Sequence, residues 1–190
     1  MNEIHKANHA TLIAALSQRT PLLITLTFRR LRAEFRAAIK NGPDCPEYDF
    51  LSFAPASPHN IYDLIGTIAG PKDTPYERGI FQLRIRIPKT YPDVAPECTF
   101  MTRIWHPNIS PRGKICLNIL DHEWSQALRV RTILLSISSV LSDPGLGVMG
   151  GEGVSGVLVP EAGKMWLENR ETFEEMARAW TAKYAMPAEE

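Results

Sequence analysis

The sequence predicts an α+β domain in which one antiparallel meander is packed between helices. Three observations carry that prediction. Residues Gly79 to Pro88 alternate strictly, with Phe81, Leu83, Ile85 and Ile87 on one face and Gln82, Arg84 and Arg86 on the other, the period of a strand with one buried face. Three other stretches repeat apolar side chains at helical spacing: Phe28, Leu31, Phe35 and Ile39; Ile133, Leu134, Ile137, Val140 and Leu141; and Phe173, Met176, Ala177, Trp180 and Tyr184. Between the strands and the later helices lies a turn-rich segment, Trp105 to Leu120. Helix, strands, irregular segment and helices, in that order, make an α+β arrangement.

The elements follow along the chain. Thr11 to Leu16 and Leu22 to Phe28 are apolar, but Ser17 to Pro21 separates them, and neither approaches the roughly 20 residues that span a bilayer. Residues 1–21 are therefore set apart as an N-terminal extension of unassigned structure, without the basic start and small-residue cleavage site of a signal peptide. Thr20 and Pro21 read as a cap and first helical position, opening the core at residue 22, and Asn41-Gly42-Pro43 stops the helix. Its arginines, Arg29 and Arg30 among them, form a solvated face that can also meet a partner.

Asp44 to Asn60 carries Pro46, Pro55 and Pro58, which fits a loop or an irregular edge strand. Ile61 to Ala69 and Gly79 to Pro88 read as a hairpin with one wet face, and Glu97 to Thr102 as a short strand that turns Cys98 into the core. Downstream, Asp143-Pro144 ends a helix that reads as buried in all but one turn. Gly145 to Val159 reads as a flexible glycine-rich loop, with an insertion at about 145–157. It lacks the GxxxxGK[ST] pattern of a phosphate loop. Pro160 to Glu168 and Thr172 to Met186 complete the helices, leaving 187–190 as a tail.

Composition bounds the chemistry. The 190 residues are 44% hydrophobic, and Lys+Arg and Asp+Glu both number 21, so no nucleic-acid or membrane partner is expected. Cys45, Cys98 and Cys116 are odd in number and far apart, which fits a reducing compartment, cytoplasm and/or nucleus, rather than a disulfide framework. The five histidines show no metal-ligand spacing, so no metal is expected.

Cys116 is the candidate nucleophile. It follows His106-Pro107-Asn108 and Ser110-Pro111-Arg112-Gly113, and a cysteine beyond such turns can lie near solvent. Taken alone, a free cysteine is more often a small core hydrophobe.

The ordered series GPKDTPYERGIFQLRIRIPKTYPDVAP, FMTRIWHPNI, GKICLNIL, W-S-x-A-L, LLSI and ARAWTAKYAM resembles the ubiquitin-conjugating enzymes, in their small catalytic-core class, over roughly Leu22 to Met186. The resemblance implies a four-stranded antiparallel meander with an N-terminal helix, a central helix and C-terminal helices. It also implies a thiol carrier: Cys116 takes ubiquitin from an activating enzyme as a thioester and passes it to a substrate lysine or a ligase cysteine. Asn108 matches the family asparagine beside the thioester, where an uncharged donor can stabilise charge on the acyl oxygen or brace its own loop. His106 and Pro107 then scaffold that turn. No cofactor is bound directly, ATP and magnesium being used by the upstream activating enzyme.

The same resemblance places the remaining contacts and two departures. Leu135 and Ser139 match the helix surface on which carried ubiquitin folds back. Arg29, Arg30, Asp93, Ser125, Gln126 and Ala127 match contacts for a ubiquitin ligase or activating enzyme, but Asp93 stands for a large apolar residue and Gln126 for a proline, which argues against the usual RING-type ligases. Near the active site, Asn118 replaces an aspartate and the acidic gate after the central helix is exchanged for the glycine-rich stretch, with Asp143 and Glu152 nearby in sequence. Two other readings stay open beside the active enzyme: a transfer-impaired binding module or scaffold on the same fold, and a cysteine hydrolase pairing Cys116 with His106 or His122 and Asn108.

Overall fold

The computed structural model describes residues 2–17, 26–40, 51–146, 148 and 156–186. Four strands, β1 (Leu51–Ser57), β2 (Asn60–Ala69), β3 (Ile80–Arg86) and β4 (Glu97–Phe100), form one sheet in the order β1-β2-β3-β4, every neighbouring pair antiparallel. Register puts Phe53, Gly66, Leu83 and Phe100 in one row across the sheet, and period-two alternation makes their face the core face. Pro55 sits in β1 opposite Leu64. β1 is the edge of the sheet, where a residue without an N–H is tolerated.

Helix α3 (Val130–Ser142) lies on that core face, burying Ile133, Leu134, Ile137, Val140 and Leu141. Gly66 permits the close approach: a Cβ there would stand 2.9 Å from Leu134 Cδ2. The near-complete burial expected of α3 does not hold. Leu135, Ser139 and Ser142 are exposed, because the sheet covers only one side of the helix.

Helix α2 (Leu26–Lys40) buries Leu31 and Phe35, with Phe35 and Phe53 ring centroids 6.2 Å apart. The expected Thr20-Pro21 start and Asn41-Gly42-Pro43 stop fall outside the described residues. At the other end of the chain, α4 (Pro160–Glu168) and α5 (Arg170–Tyr184) follow, and Asn169 caps α5 by accepting from Thr172 N–H at 3.2 Å. Of the stripe expected on α5, Phe173 and Ala177 are buried and Met176 is exposed.

The N-terminal extension contains a helix, α1 (Asn2–Ser17), packed on β1 and α2. Leu12 and Ala15 are buried, and Asn8 Nδ2 donates to Ser52 Oγ at 2.8 Å. Ser52 lies on the face of β1 opposite Phe53, so α1 covers the outer face of the sheet at its β1 end. The hairpin's second face is therefore wet only in part: Thr67 of β2 is buried, while Gln82, Arg84 and Arg86 of β3 are exposed. Among the described residues no helix is long and apolar enough to cross a membrane.

Candidate active site

The segment after β4 is built on a tight turn. Ser110 N–H donates to Lys114 O at 2.9 Å, Gly113 N–H to Ser110 O at 2.8 Å, and Phe100 N–H to Gly113 O at 2.9 Å, which ties the turn to β4. Gly113 has φ 81°, and a Cβ there would lie 2.1 Å from Phe100 O. Only glycine meets both conditions. From the turn the chain runs extended, with Ile115 and Leu117 buried in the core. Alternation then directs Cys116, between them, to the other side, where it is half-buried. Cys98, by contrast, is buried, and burial pushes its thiol up to about 12. Of the two cysteines among the described residues, only Cys116 is positioned to react.

The His106-Pro107-Asn108 turn is locked beside it. Cys116 N–H donates to Asn108 O at 2.9 Å, binding the two positions backbone to backbone. His106 is fully buried, its Nδ1 accepts from Asn108 N–H at 3.0 Å, and its Nε2 lies 3.1 Å from Val140 O. This pattern assigns the neutral tautomer with the proton on Nε2, and burial lowers the imidazole to about 4. Both nitrogens are engaged, so His106 does not act as the base for Cys116 that a hydrolase would need. Tyr76 backs the turn: its hydroxyl donates to Trp105 O at 2.8 Å and its ring lies 5.7 Å from that of His106.

Asn108 is also fully buried, with Nδ2 donating to Gly156 O at 2.9 Å and Oδ1 without a hydrogen-bond partner among the described residues. Pro107 O accepts from Leu158 N–H at 2.8 Å and Val159 N–H at 3.0 Å. The turn thus holds the end of the glycine-rich stretch. Residues 147 and 149–155, Glu152 among them, lie outside the described residues, so the expected flexible loop is described only at its two ends.

Cys116 opens on a groove of about 720 Å³ whose lining includes Arg86, Glu97, Arg112, Lys114, Asp121 and Leu158. Reading the sequence did not single out these charged positions. The signal was there in the two-residue spacing of Lys114 and Cys116, where the chain leaves the turn and runs extended, with Arg112 on the turn before them. Among the described residues no cluster of His, Cys, Asp and Glu could hold a metal ion.

The ordered motifs led us to expect a meander with a near-surface cysteine after a His-Pro-Asn turn, and comparison with known proteins decides the matter. The family model described as ubiquitin-conjugating enzyme matches residues 30–181. The chain belongs to that family. It is 44% identical over 119 residues to ubiquitin-conjugating enzyme E2 N of Macaca fascicularis, covering 63% of this chain and 73% of the relative. A ubiquitin-conjugating enzyme domain of Toxoplasma gondii superposes with TM-score 0.69 at 40% identity, covering 83% of this chain and 97% of the other. A Plasmodium yoelii structure described as a ubiquitin conjugating enzyme gives TM-score 0.73 at 37% identity, with 86% and 98% covered. The enzyme is thus a transferase of the ubiquitin conjugation pathway that carries ubiquitin as a thioester and transfers it, with ubiquitin, an activating enzyme and a ligase as its general partners.

The other expected positions of this ubiquitin-conjugating enzyme fall in three places. Asn118 begins a single 3-10 turn (Asn118–Leu120) directly after Cys116-Leu117, and its Nδ2 donates to Glu123 Oε1 at 3.2 Å. Asp143 closes α3, is exposed, and accepts from Gly145 N–H at 2.9 Å. Leu135, 46% exposed, and Ser139 share the solvent face of α3 one turn apart.

The partner-contact positions divide. Asp93 and Ser125, Gln126 and Ala127 are exposed, and the two departures meet: Gln126 Nε2 donates to Asp93 Oδ1 at 2.9 Å. Arg29 is exposed, but Arg30 is half-buried and engaged inside. Its Nε donates to Glu34 Oε1 at 2.7 Å and its Nη2 to Leu128 O at 2.8 Å. Buried Glu34 accepts as well from Tyr91 OH at 2.5 Å and from Val130 N–H, the first residue of α3, at 2.9 Å. A buried carboxylate without such partners would be costly, which accounts for Arg30 turning inward.

Proposed function

We propose that Cys116 is the residue on which this enzyme carries ubiquitin, and that it passes the acyl group to a lysine amine or to a ligase cysteine. The observation that supports this reading is the half-buried thiol set between core-facing Ile115 and Leu117, opening on a groove. In loading, the Cys116 thiolate exchanges with the activating enzyme's thioester. In transfer to lysine, the amine nitrogen forms the new C–N bond, the C–S bond breaks, sulfur leaves with the electron pair as thiolate, and the amine proton passes to water. A thiolate is the better leaving group of the two nucleophiles available to a side chain of this size, so the serine ester would be a dead end.

Asn108 acts here as a positioning residue, since its buried amide holds Gly156 O, with His106 and Pro107 as its support. Asn118 and Asp143 support the active-site loop from the 3-10 turn after Cys116 and from the end of α3, and Leu135 with Ser139 receives the carried ubiquitin. Arg29, Asp93, Ser125, Gln126 and Ala127 face the ligase or activating enzyme, and the hydrogen-bonded Asp93–Gln126 pair favours a ligase with polar groups there over one that needs an apolar anchor. The enzyme itself uses no cofactor, ATP and magnesium serving the activating enzyme, and it works in the cytoplasm or nucleus, where a free thiol persists.

The test is a gel of protein incubated with activating enzyme, ATP and ubiquitin, run with and without reductant. The wild type is expected to give a reductant-labile adduct, Cys116→Ser a reductant-stable one and Cys116→Ala none. An adduct that survives Cys116→Ala sinks the assignment.

A further inference from the structure

Where α5 meets the segment that follows β4, three aromatic rings and two cations gather. Trp105 and Trp180 have ring centroids 5.6 Å apart, and Trp180 and Tyr184 5.3 Å apart. Arg103 Cζ lies 5.7 Å from the Tyr184 ring centroid and Lys183 Nζ 5.1 Å from it. The rings are half-buried, both cations are exposed, and none of the five residues lines the groove of Cys116. Attraction to a ring face fixes where each cation stands without neutralising it. Among the described residues neither Arg103 nor Lys183 forms an ion pair. No acid stands close in sequence: Met101 to Trp105 contains none, and those of α5, Glu171, Glu174 and Glu175, fall in its first half, with Glu174 taken by Arg170 at 3.4 Å and Arg178 at 2.8 Å. Lys183 lies in the last turn of α5, where a cation offsets the helix dipole. That reason does not extend to Arg103, which comes from a different element. The local potential is felt at Tyr184, whose hydroxyl is lowered from its ordinary value by Lys183 and then by Arg103. Beside the cations a cleft of about 30 Å³ opens, with Met101, Arg103 and Trp180 in its lining and Met101 52% exposed.

We propose that this patch docks an acidic segment of a partner protein, with carboxylates on Arg103 and Lys183 and one aliphatic side chain seated against Met101 and Trp180. Charge complementarity selects the occupant: two cations from separate elements converge with no carboxylate of the described chain to answer them, and carboxylates arriving on a partner supply what is missing. The cleft sets the apolar element, since its volume admits only the end of a single side chain, about the space of one water. A nucleic acid carries the same sign of charge, but binds single strands through open ring faces on which bases stack. Here the rings pack on one another and under the cations. The docking surface uses none of the residues of the Cys116 groove, of the Asp93–Gln126 loops or of the solvent face of α3, so a partner held on it leaves all three accessible. It does not depend on which residue carries ubiquitin.

The experiment measures fluorescence anisotropy of labelled ten-residue peptides, each with a central leucine flanked by Glu, Gln or Lys, against the full chain. At low salt the Glu peptide is expected to bind about fivefold tighter than the Gln peptide, with the Lys peptide weakest, and high salt to bring the three together. The double variant Arg103→Glu, Lys183→Glu is expected to reverse the order, and Arg103→Lys, Lys183→Arg to keep it. Lys72→Glu, Lys89→Glu makes the same change of net charge at exposed positions elsewhere and is expected to leave the order as it is. Serine in place of the peptide's leucine is expected to weaken binding to the wild type and to make no difference with Met101→Ala. Urea midpoints within error of the wild type show that the variants are folded. Equal binding of the three peptides at low salt, an order that survives Arg103→Glu, Lys183→Glu, or one lost equally in Lys72→Glu, Lys89→Glu overturns the proposal. So does a single-stranded oligonucleotide that binds tighter than the Glu peptide, which would make the patch a nucleic-acid surface, or Glu-peptide binding that emerges only when residues 187–190 are removed, which would assign the patch to the chain's own Glu189 and Glu190. Each of these results leaves thioester formation on Cys116 untouched, so the two readings stand or fall separately.

Discussion

The two stretches on either side of Cys116 are built to opposite plans. Upstream, the His106-Pro107-Asn108 turn is buried, and its imidazole, its Pro107 carbonyl and its Asn108 amide and backbone are bonded within the protein. Downstream, Asp121, His122, Glu123, Ser125, Gln126 and Ala127 are all exposed. That segment is held from behind, by Trp124 Nε1 donating to Pro92 O at 2.8 Å and by Arg30 on Leu128 O. The upstream side fixes where the sulfur stands. The downstream side is free to meet partners. Damage upstream is thus expected to register in stability, and damage downstream in recognition.

The largest expected effect is at His106. His106→Ala removes the partners of Val140 O and of Asn108 N–H and leaves a void against Tyr76, together a loss of about 3 kcal/mol in unfolding free energy, measured as a lower urea midpoint at unchanged slope. The histidine also sets a pH dependence. With its folded value lowered from 6.5 to about 4 by burial, the unfolded chain binds a proton between those values and the folded chain does not. Stability is therefore full above about pH 6.5 and falls as pH drops toward 4, by about 3 kcal/mol from this one group. The variant is expected to lack that part of the slope. A His106→Ala protein as stable as wild type would break the comparison at its upstream end.

Asn108→Ala comes next, at about 1–2 kcal/mol, for the lost bond to Gly156 O. This variant also separates bracing from direct charge stabilisation. If the amide acts by bracing the end of the glycine-rich stretch, thioester loading and lysine discharge are expected to fall together in single-turnover assays. A variant that loads at the wild-type rate and loses only discharge would instead assign Asn108 to the acyl oxygen.

How much of this was legible in the sequence follows the range of the interactions. The alternation of β3, the apolar stripe and Asp143-Pro144 stop of α3, and a near-surface cysteine after a run of turns are all local signals. Helix α1 was not legible, because its packed side chains, Asn8, Leu12 and Ala15, include an amide and a methyl group and gain their burial from β1. Arg30 looked like part of a solvated face, since nothing local reveals that Glu34 is buried beneath the Tyr91 hydroxyl and the start of α3. The His106 lock depends on a carbonyl 34 residues away. The motif named the residue, but only the packing of α3 on the turn shows what its imidazole does.

The smallest effect is expected at the Asp93–Gln126 pair. Both side chains are exposed, and a single solvent-facing hydrogen bond between loops 33 residues apart is opposed by the entropy of holding two side chains in one geometry. Gln126→Ala is therefore expected to change unfolding free energy by less than about 0.5 kcal/mol, read from the same urea curves as His106→Ala. Its consequence belongs to binding: Asp93 is freed, and affinity for a ligase that reads this surface changes while thioester loading in the absence of ligase does not. A destabilisation above about 1 kcal/mol would make the loop pair part of the scaffold, and the division between a structural upstream side and a recognising downstream side would no longer hold.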